Sequence, residues 1–148
     1  MNRHVLSSLI LLGGVVFACG PRARSAEPER RKVVDGRPVA AVLDVKIRDG
    51  IEFAFHVTNN APRKLELLFP SGQTHDFAVV DSLGREVWRW SEGRMFTQAV
   101  TNRLIGPNVS VTWKAAWRAE VPPGQYVAIA SLLSENKPLE ERVDFEVR

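Results

Sequence analysis

His75-Asp76 is the nearest this sequence comes to an acid/base pair, and its neighbours do not complete it. Adjacent residues on a strand point to opposite faces, so the carboxylate of Asp76 is not expected to orient the imidazole. Ser71 stands in Pro70-Ser71-Gly72 and lacks the flanking glycines of a nucleophile elbow. The three histidines, His4, His56 and His75, have no zinc-type spacing, and the single cysteine, Cys19, cannot build a thiolate site. No glycine-rich phosphate loop occurs. Glu86 and Glu92 have no partner for proton transfer. His56, on the polar side of an alternating run, and His75, at a turn, are both expected at the surface. These residues point away from an enzyme: no catalytic residue, metal or cofactor is expected.

Cys19 has a different chemistry open to it. Arg3 and His4 precede an apolar run, Val5–Ala18, and no acid occurs before Glu27. That is the pattern of a secretory signal. The run falls short of the roughly twenty residues a membrane-spanning helix needs. It ends in Val16-Phe17-Ala18-Cys19-Gly20, similar to a bacterial lipobox, although Phe17 is bulkier than the usual occupant. Two processing routes fit: cleavage before Cys19 with lipidation of its thiol, or ordinary cleavage after Ala18. Lipidation is favoured, because a lone thiol in an exported chain otherwise has no assigned use. Residues 1–18 are thus expected to be a lipoprotein signal peptide, with the protein held at the bacterial cell envelope through Cys19. The sequon Asn108-Val109-Ser110 is then a chance match.

Residues 19–38 follow as a flexible tether, with three prolines, two glycines and six basic residues between Gly20 and Pro38. Those basic residues are read as solvated, with contact to anionic headgroups as the alternative. The whole chain of 148 residues carries 20 Lys and Arg against 17 acids, a formal charge of +3. With no clustered basic face in the periodic region, nucleic acid is not an expected partner.

From Val39 the period is two. Leu43, Val45 and Ile47 alternate with charged residues; Asp49-Gly50 then signals a hairpin into Ile51, Phe53, Phe55 and Val57. Further alternating runs lie at 64–69, 76–82, 85–91, 109–119, 125–133 and 143–147. Residues 92–108 read as a loop with a turn of helix, from the spacing of Met95, Phe96, Ala99 and Val100. The pattern predicts an all-β protein over residues 39–148, an immunoglobulin-like antiparallel β-sandwich of about 7–8 strands. With no disulfide available, Trp113, Trp117, Phe53, Phe55 and Tyr126 must supply much of its core.

Trp88 and Trp90 share one strand face and are assigned to the core rather than to an exposed anchor patch. The turns that flank them, with Ser71, Gly72, Gln73 and His75 on one and Ser91, Glu92 and Arg94 on the other, are the candidate partner-contact surface, since loops on a rigid scaffold carry function.

Val57-Thr58-Asn59, Phe69-Pro70-Ser71-Gly72-Gln73, His75-Asp76-Phe77, Asp81 with Gly84, Val87-Trp88-Arg89-Trp90-Ser91, Met95-Phe96-Thr97-Gln98, Trp117 and Pro123-Gly124-Gln125-Tyr126 form a recognisable set. Through them, the stretch from Val45 to Leu132 resembles the intracellular proteinase inhibitor (BsuPI) family. The resemblance implies an immunoglobulin-like sandwich and inhibition of a serine protease. The expected function is therefore a proteinase-inhibitor-like, protein-binding domain on an envelope lipoprotein. The alternative is a non-inhibitory adhesion or assembly module whose partner is another envelope protein. A hydrolase built on His75 and Asp76 is the remaining reading.

Overall fold

Asp49-Gly50 closes a hairpin between β1 (Val39–Arg48) and β2 (Gly50–Asn59), paired without interruption from Val39·Asn59 to Arg48·Gly50. The computed structural model describes residues 37–118 and 120–148. The signal segment, Cys19 and most of the tether lie outside the described residues. Gly50 has φ of 139°, and a Cβ there would lie 2.8 Å from the carbonyl oxygen of Trp117. Gly50→Ala is therefore expected to lower stability by about 1–3 kcal/mol, seen as an earlier urea midpoint at unchanged slope. An unshifted midpoint would show that the hairpin relaxes freely.

The strand period decides what faces inward. Ile51, Phe53, Phe55 and Val57 of β2 are buried, while Glu52 between them is exposed. On the other flank of β2, β7 (Ser110–Trp117) aligns Trp113 with Phe55 and Trp117 with Ile51. β1, β2 and β7 form one sheet. The second sheet holds β4 (His75–Asp81), β5 (Glu86–Arg89), β8 (Gly124–Leu132) and β9 (Leu139–Val147), in the order β5-β4-β8-β9. Rings cross between them. The indole of Trp88, on β5, is inserted between Phe53 and Trp117 of the facing sheet, with centroids 5.3 and 5.9 Å away. Phe53 also meets Phe77 of β4 at 5.9 Å. Each large apolar side chain so buried stabilises the fold by roughly 1.5–3 kcal/mol. Trp113, Trp117, Phe53, Phe55 and Tyr126 are all buried, as the sequence requires of a core without disulfides.

Every strand pairing is antiparallel, and the two facing sheets make an immunoglobulin-like sandwich. Tyr126, near the start of β8, donates its hydroxyl to the carbonyl of Pro122 at 2.8 Å, the back-bonded corner familiar in such sandwiches.

Nine strands are present among the described residues, one beyond the upper expectation. The additional strand is β6 (Thr101–Ile105), paired with β3 (Leu65–Phe69) in a two-stranded ribbon. No helix forms between residues 92 and 108. The reason is legible in the register. Thr101, Arg103 and Ile105 share a face with the inward Phe69, Leu67 and Leu65, while Asn102 and Leu104 point outward. All of β6 before Ile105 is exposed, with Arg103 on the core-side face and Leu104 on the outer one, so hydrophobicity does not report the strand.

β2 ends at a polar knot. Asn59 is 0% exposed. Its side-chain amide donates to the carbonyls of Arg63, Ile105 and Gly106 at 2.8, 3.0 and 3.1 Å. Its side-chain oxygen accepts from the Ala61 amide at 3.0 Å, and its backbone bonds Asn108 and Val109. One side chain thus ties the end of β2 to the end of β6 and to the turn into β7.

Candidate functional site

The first residue of β4, His75, lies half-buried among rings rather than at the surface as expected. Its imidazole is 4.4 Å from Trp90, 5.7 Å from Trp113 and 5.6 Å from Phe77. The guanidinium of Arg94 lies 4.4 Å over the Trp90 ring, and that of Arg103 lies 5.5 Å over Trp113. Phe96 packs on Trp90 at 5.8 Å. The result is a ladder of planar groups, Arg94–Trp90–His75–Trp113–Arg103, that reaches from the segment after β5 to β7 and β6. Cation–π contacts of this kind contribute about 0.5–1 kcal/mol each at exposed sites.

Burial dominates the titration of His75. Desolvation lowers its pKa to about 4; the Asp76 charge opposes the shift, and Arg94 and Arg103 reinforce it. The folded ring is therefore neutral where an unfolded histidine, with pKa near 6.5, has taken up a proton. Stability is complete above about pH 6.5 and is lost as pH falls towards 4. The expected loss is on the order of 2 kcal/mol, discounted for the partial exposure of the ring. His75→Phe should flatten this part of the thermal-midpoint profile relative to wild type. Parallel profiles for the two proteins would show that His75 does not carry the slope.

Asp76, one residue on, faces the other way. It is 6% exposed and surrounded by donors: the amides of Phe77 and Ser91 at 2.9 and 3.1 Å, the Ser91 hydroxyl at 2.7 Å, and Arg89 at 2.8 Å. Arg89 also pairs with Glu86, and the two carboxylates raise its pKa, the Glu86 hydrogen bond most. The carboxylate of Asp76 is consumed in anchoring Ser91. The His75 Nδ1 meets Thr74 Oγ1 at 3.1 Å instead. The two residues do not form a catalytic couple.

The anchored segment continues as a set of turns. The amide of Glu92 bonds the Arg89 carbonyl, that of Arg94 bonds the Ser91 carbonyl, and Arg94 Nε reaches the Trp90 carbonyl at 2.7 Å. Gly93 supplies a left-handed φ of 70°. Met95 follows, 98% exposed. The other turn joins it: the Gly72 amide donates to the Thr97 carbonyl at 2.9 Å, and Thr101 Oγ1 bonds the Ser71 carbonyl at 3.4 Å. A Cβ on Gly72 would sit 2.5 Å from Thr97 Oγ1 and 3.3 Å from the Thr97 amide nitrogen, so a larger residue would have to displace Thr97. Gln73 closes its own turn on the Ser71 hydroxyl at 3.2 Å.

The two candidate turns are thus one platform. Gly72, Glu92 and Arg94 are exposed on it; Ser71, Gln73 and His75 are half-buried; Ser91 faces inward to Asp76. Trp113, Phe96 and Arg103 belong to the same site but were not candidates. Phe96 stood in the quoted Met95-Phe96-Thr97-Gln98 stretch, whereas Trp113 and Arg103 carried no sequence signal for it. His56 lies elsewhere, on Thr112 and Asp44 at 2.8 and 3.2 Å. Among the described residues, no group of three or more His, Cys, Asp or Glu side chains could hold a metal ion.

Residues 41–137 match the family described as BsuPI, intracellular proteinase inhibitor. No curated protein sequence matches the chain. Among solved structures, a structural-genomics target is similar over 74% of this chain and 85% of its own, at 12% identity and a TM-score of 0.42. A Bordetella pertussis protein described as ApaA is similar over 74% of this chain and 89% of its own, at 14% identity and a TM-score of 0.36. A β-glucosidase of Erythrobacter marinus matches over 72% of this chain but 15% of its own, at 17% identity and a TM-score of 0.36.

Proposed function

The chain belongs to the intracellular proteinase inhibitor family, and from that premise we propose that it is a non-catalytic, protein-binding domain that blocks a serine protease sterically. The observation that carries the reading is the platform. Two turns are locked to each other and to a stacked ladder, and an unbranched apolar side chain, Met95, stands fully in solvent above them. A preorganised surface gives up little conformational entropy on docking, which is what a blocking loop requires. Met95 then enters an apolar cleft of the protease while the turns around it exclude the substrate.

The test is titration of a subtilisin-like serine protease with the purified protein. Residual activity should fall with added protein, and Met95→Asp should weaken inhibition at least tenfold, equivalent to about 1.4 kcal/mol. Absence of both inhibition and complex at micromolar concentration overturns the reading. A complex without inhibition assigns the surface to assembly or adhesion at the envelope.

The same proposal places the protein outside the cytoplasm, held at a membrane by lipid on Cys19. Lipobox-like residues before a lone cysteine support it. Several acyl chains on one residue would make anchoring durable, whereas one chain gives marginal binding. Cys19→Ala should move the protein from the membrane fraction to the soluble one; an unmodified Cys19 in the wild type refutes it.

A further inference from the structure

The ribbon of β3 and β6 has one covered edge and one open edge. On the β3 side, the Leu68 amide donates to Asn136 Oδ1 at 3.0 Å, the Glu135 amide donates to the Leu68 carbonyl at 2.8 Å, and Asn136 Nδ2 reaches the Glu66 carbonyl at 2.8 Å. Glu66 and Leu68 thus turn their backbone groups away from β6. In an antiparallel ladder these groups alternate in direction, so Leu65, Leu67 and Phe69 bond their partners Ile105, Arg103 and Thr101. By the same alternation, the N–H and C=O of Asn102 and Leu104 point out of the ribbon. No strand pairs with β6 on that side, and among the described residues no backbone hydrogen bond covers it. An edge of this kind is a template for another strand.

The side chains along it have a definite character. On the outer face stand Leu104, 60% exposed, its diagonal neighbour Leu68, and Val100 just before the strand, with Asn102 bonded across to Glu66 at 3.1 Å between them. Leu68, Val100, Thr101 and Asn102 line a shallow depression there. On the inner face the positive charge is Arg103, with Arg94 at the far end of the same ring ladder. Both lie over indole rings, both act on His75, and neither has a carboxylate partner among the described residues. A strand added here would meet apolar surface with one set of alternate residues and cationic surface with the other.

We propose that the open edge of β6 receives an extended segment of a partner protein in which acidic and apolar residues alternate, bound as an added strand. Acidic side chains face Arg103; apolar ones face Leu104 and Leu68; Asn102 and Leu104 supply the main-chain hydrogen bonds. Charge opposes a second copy in the register centred on Arg103. Two-fold pairing of β6 with itself, using Asn102 and Leu104 as mutual partners, sets Arg103 directly against Arg103, and like charges so placed are destabilising. The inference rests on the protein-binding reading but not on protease inhibition.

The test follows amide exchange in the 15N-labelled full chain, with and without a blocked eight-residue peptide alternating Val and Glu. Asn102 and Leu104 should exchange fast in the free protein. They should gain roughly tenfold protection at a peptide concentration about ten times its Kd. The amide of Arg103, already bonded to β3, should stay slow throughout. A peptide alternating Val and Lys should protect less than twofold. Leu104→Pro removes an outward N–H without removing a ladder bond, a substitution edge strands tolerate, and should abolish the protection at Asn102. Should that variant not fold, Arg103→Glu serves instead, with at least tenfold weaker binding of the Glu peptide expected. No protection, equal protection by the Lys peptide, or unchanged affinity in Arg103→Glu overturns the proposal. So does edge protection that rises with protein concentration alone, which would mark a second copy. A failure of protease inhibition leaves this result standing, because no protease enters the assay.

Discussion

Asn59→Asp should leave the protein largely unfolded at physiological temperature. The amide nitrogen at this position faces three carbonyl oxygens within 3.1 Å in a fully buried site. The substitution keeps the shape and replaces a donor with an anionic oxygen. Three carbonyls lose their partner, and a charge is buried against their negative ends. An unsatisfied buried polar group costs about 1–3 kcal/mol, and an uncompensated buried charge about 3–5 kcal/mol. Together they match most of the 5–15 kcal/mol that holds an ordinary domain. Asn59→Leu removes the donors without adding charge and should cost less, about 3 kcal/mol. Urea denaturation of the three proteins checks the order. A folded Asn59→Asp with a wild-type midpoint would mean that the carbonyls find other donors. Where the variant retains partial structure, exchange should be fastest at residues 105–109, because the knot is what holds that end of β6.

The second large effect is expected at Asp76. Asp76→Ala deprives Arg89, the amides of Phe77 and Ser91, and the Ser91 hydroxyl of their common acceptor. Each donor left unsatisfied in this buried site costs about 1–3 kcal/mol, while Arg89, 42% exposed, keeps its outer partner Glu86. Exposure decides the magnitude here. Arg85 bonds Asp81 at 2.7 Å, but its side chain is 74% exposed, so Arg85→Ala should cost under about 1 kcal/mol. Chemical denaturation of both variants separates them; equal losses would refute the burial argument. Asp76→Ala should also weaken partner binding beyond its effect on folding, since Ser91 holds the segment that presents Arg94 and Met95.

The parts of this architecture that depend on neighbours in sequence were legible from it. The Asp49-Gly50 hairpin and the alternating core of β2 follow from local turn chemistry and strand period alone. What depends on neighbours in space was not. Asn59 read as the end of a strand, since nothing local reveals that Ile105 and Gly106 return to meet its amide. His75 read as a surface residue because its turn looks polar; Trp90, just after β5, and Trp113, on β7, arrive to enclose it. β6 escaped notice because four of its five residues are exposed and its core-side face carries Arg103, which lies over the Trp113 indole. The platform was read as two turns, and only Gly72 against Thr97 shows it to be one.

The placement of Trp88 has a consequence for light rather than for energy. Its indole lies nearly parallel to that of Trp117, at 14° and 5.9 Å, and the two belong to opposite sheets. Transition dipoles so close couple strongly, so near-ultraviolet dichroism should carry a signed pair of bands whose amplitude falls steeply as the sheets separate. The protein contains a built-in optical ruler across its own core. Trp90 and Trp113, beside His75, lie outside that pair.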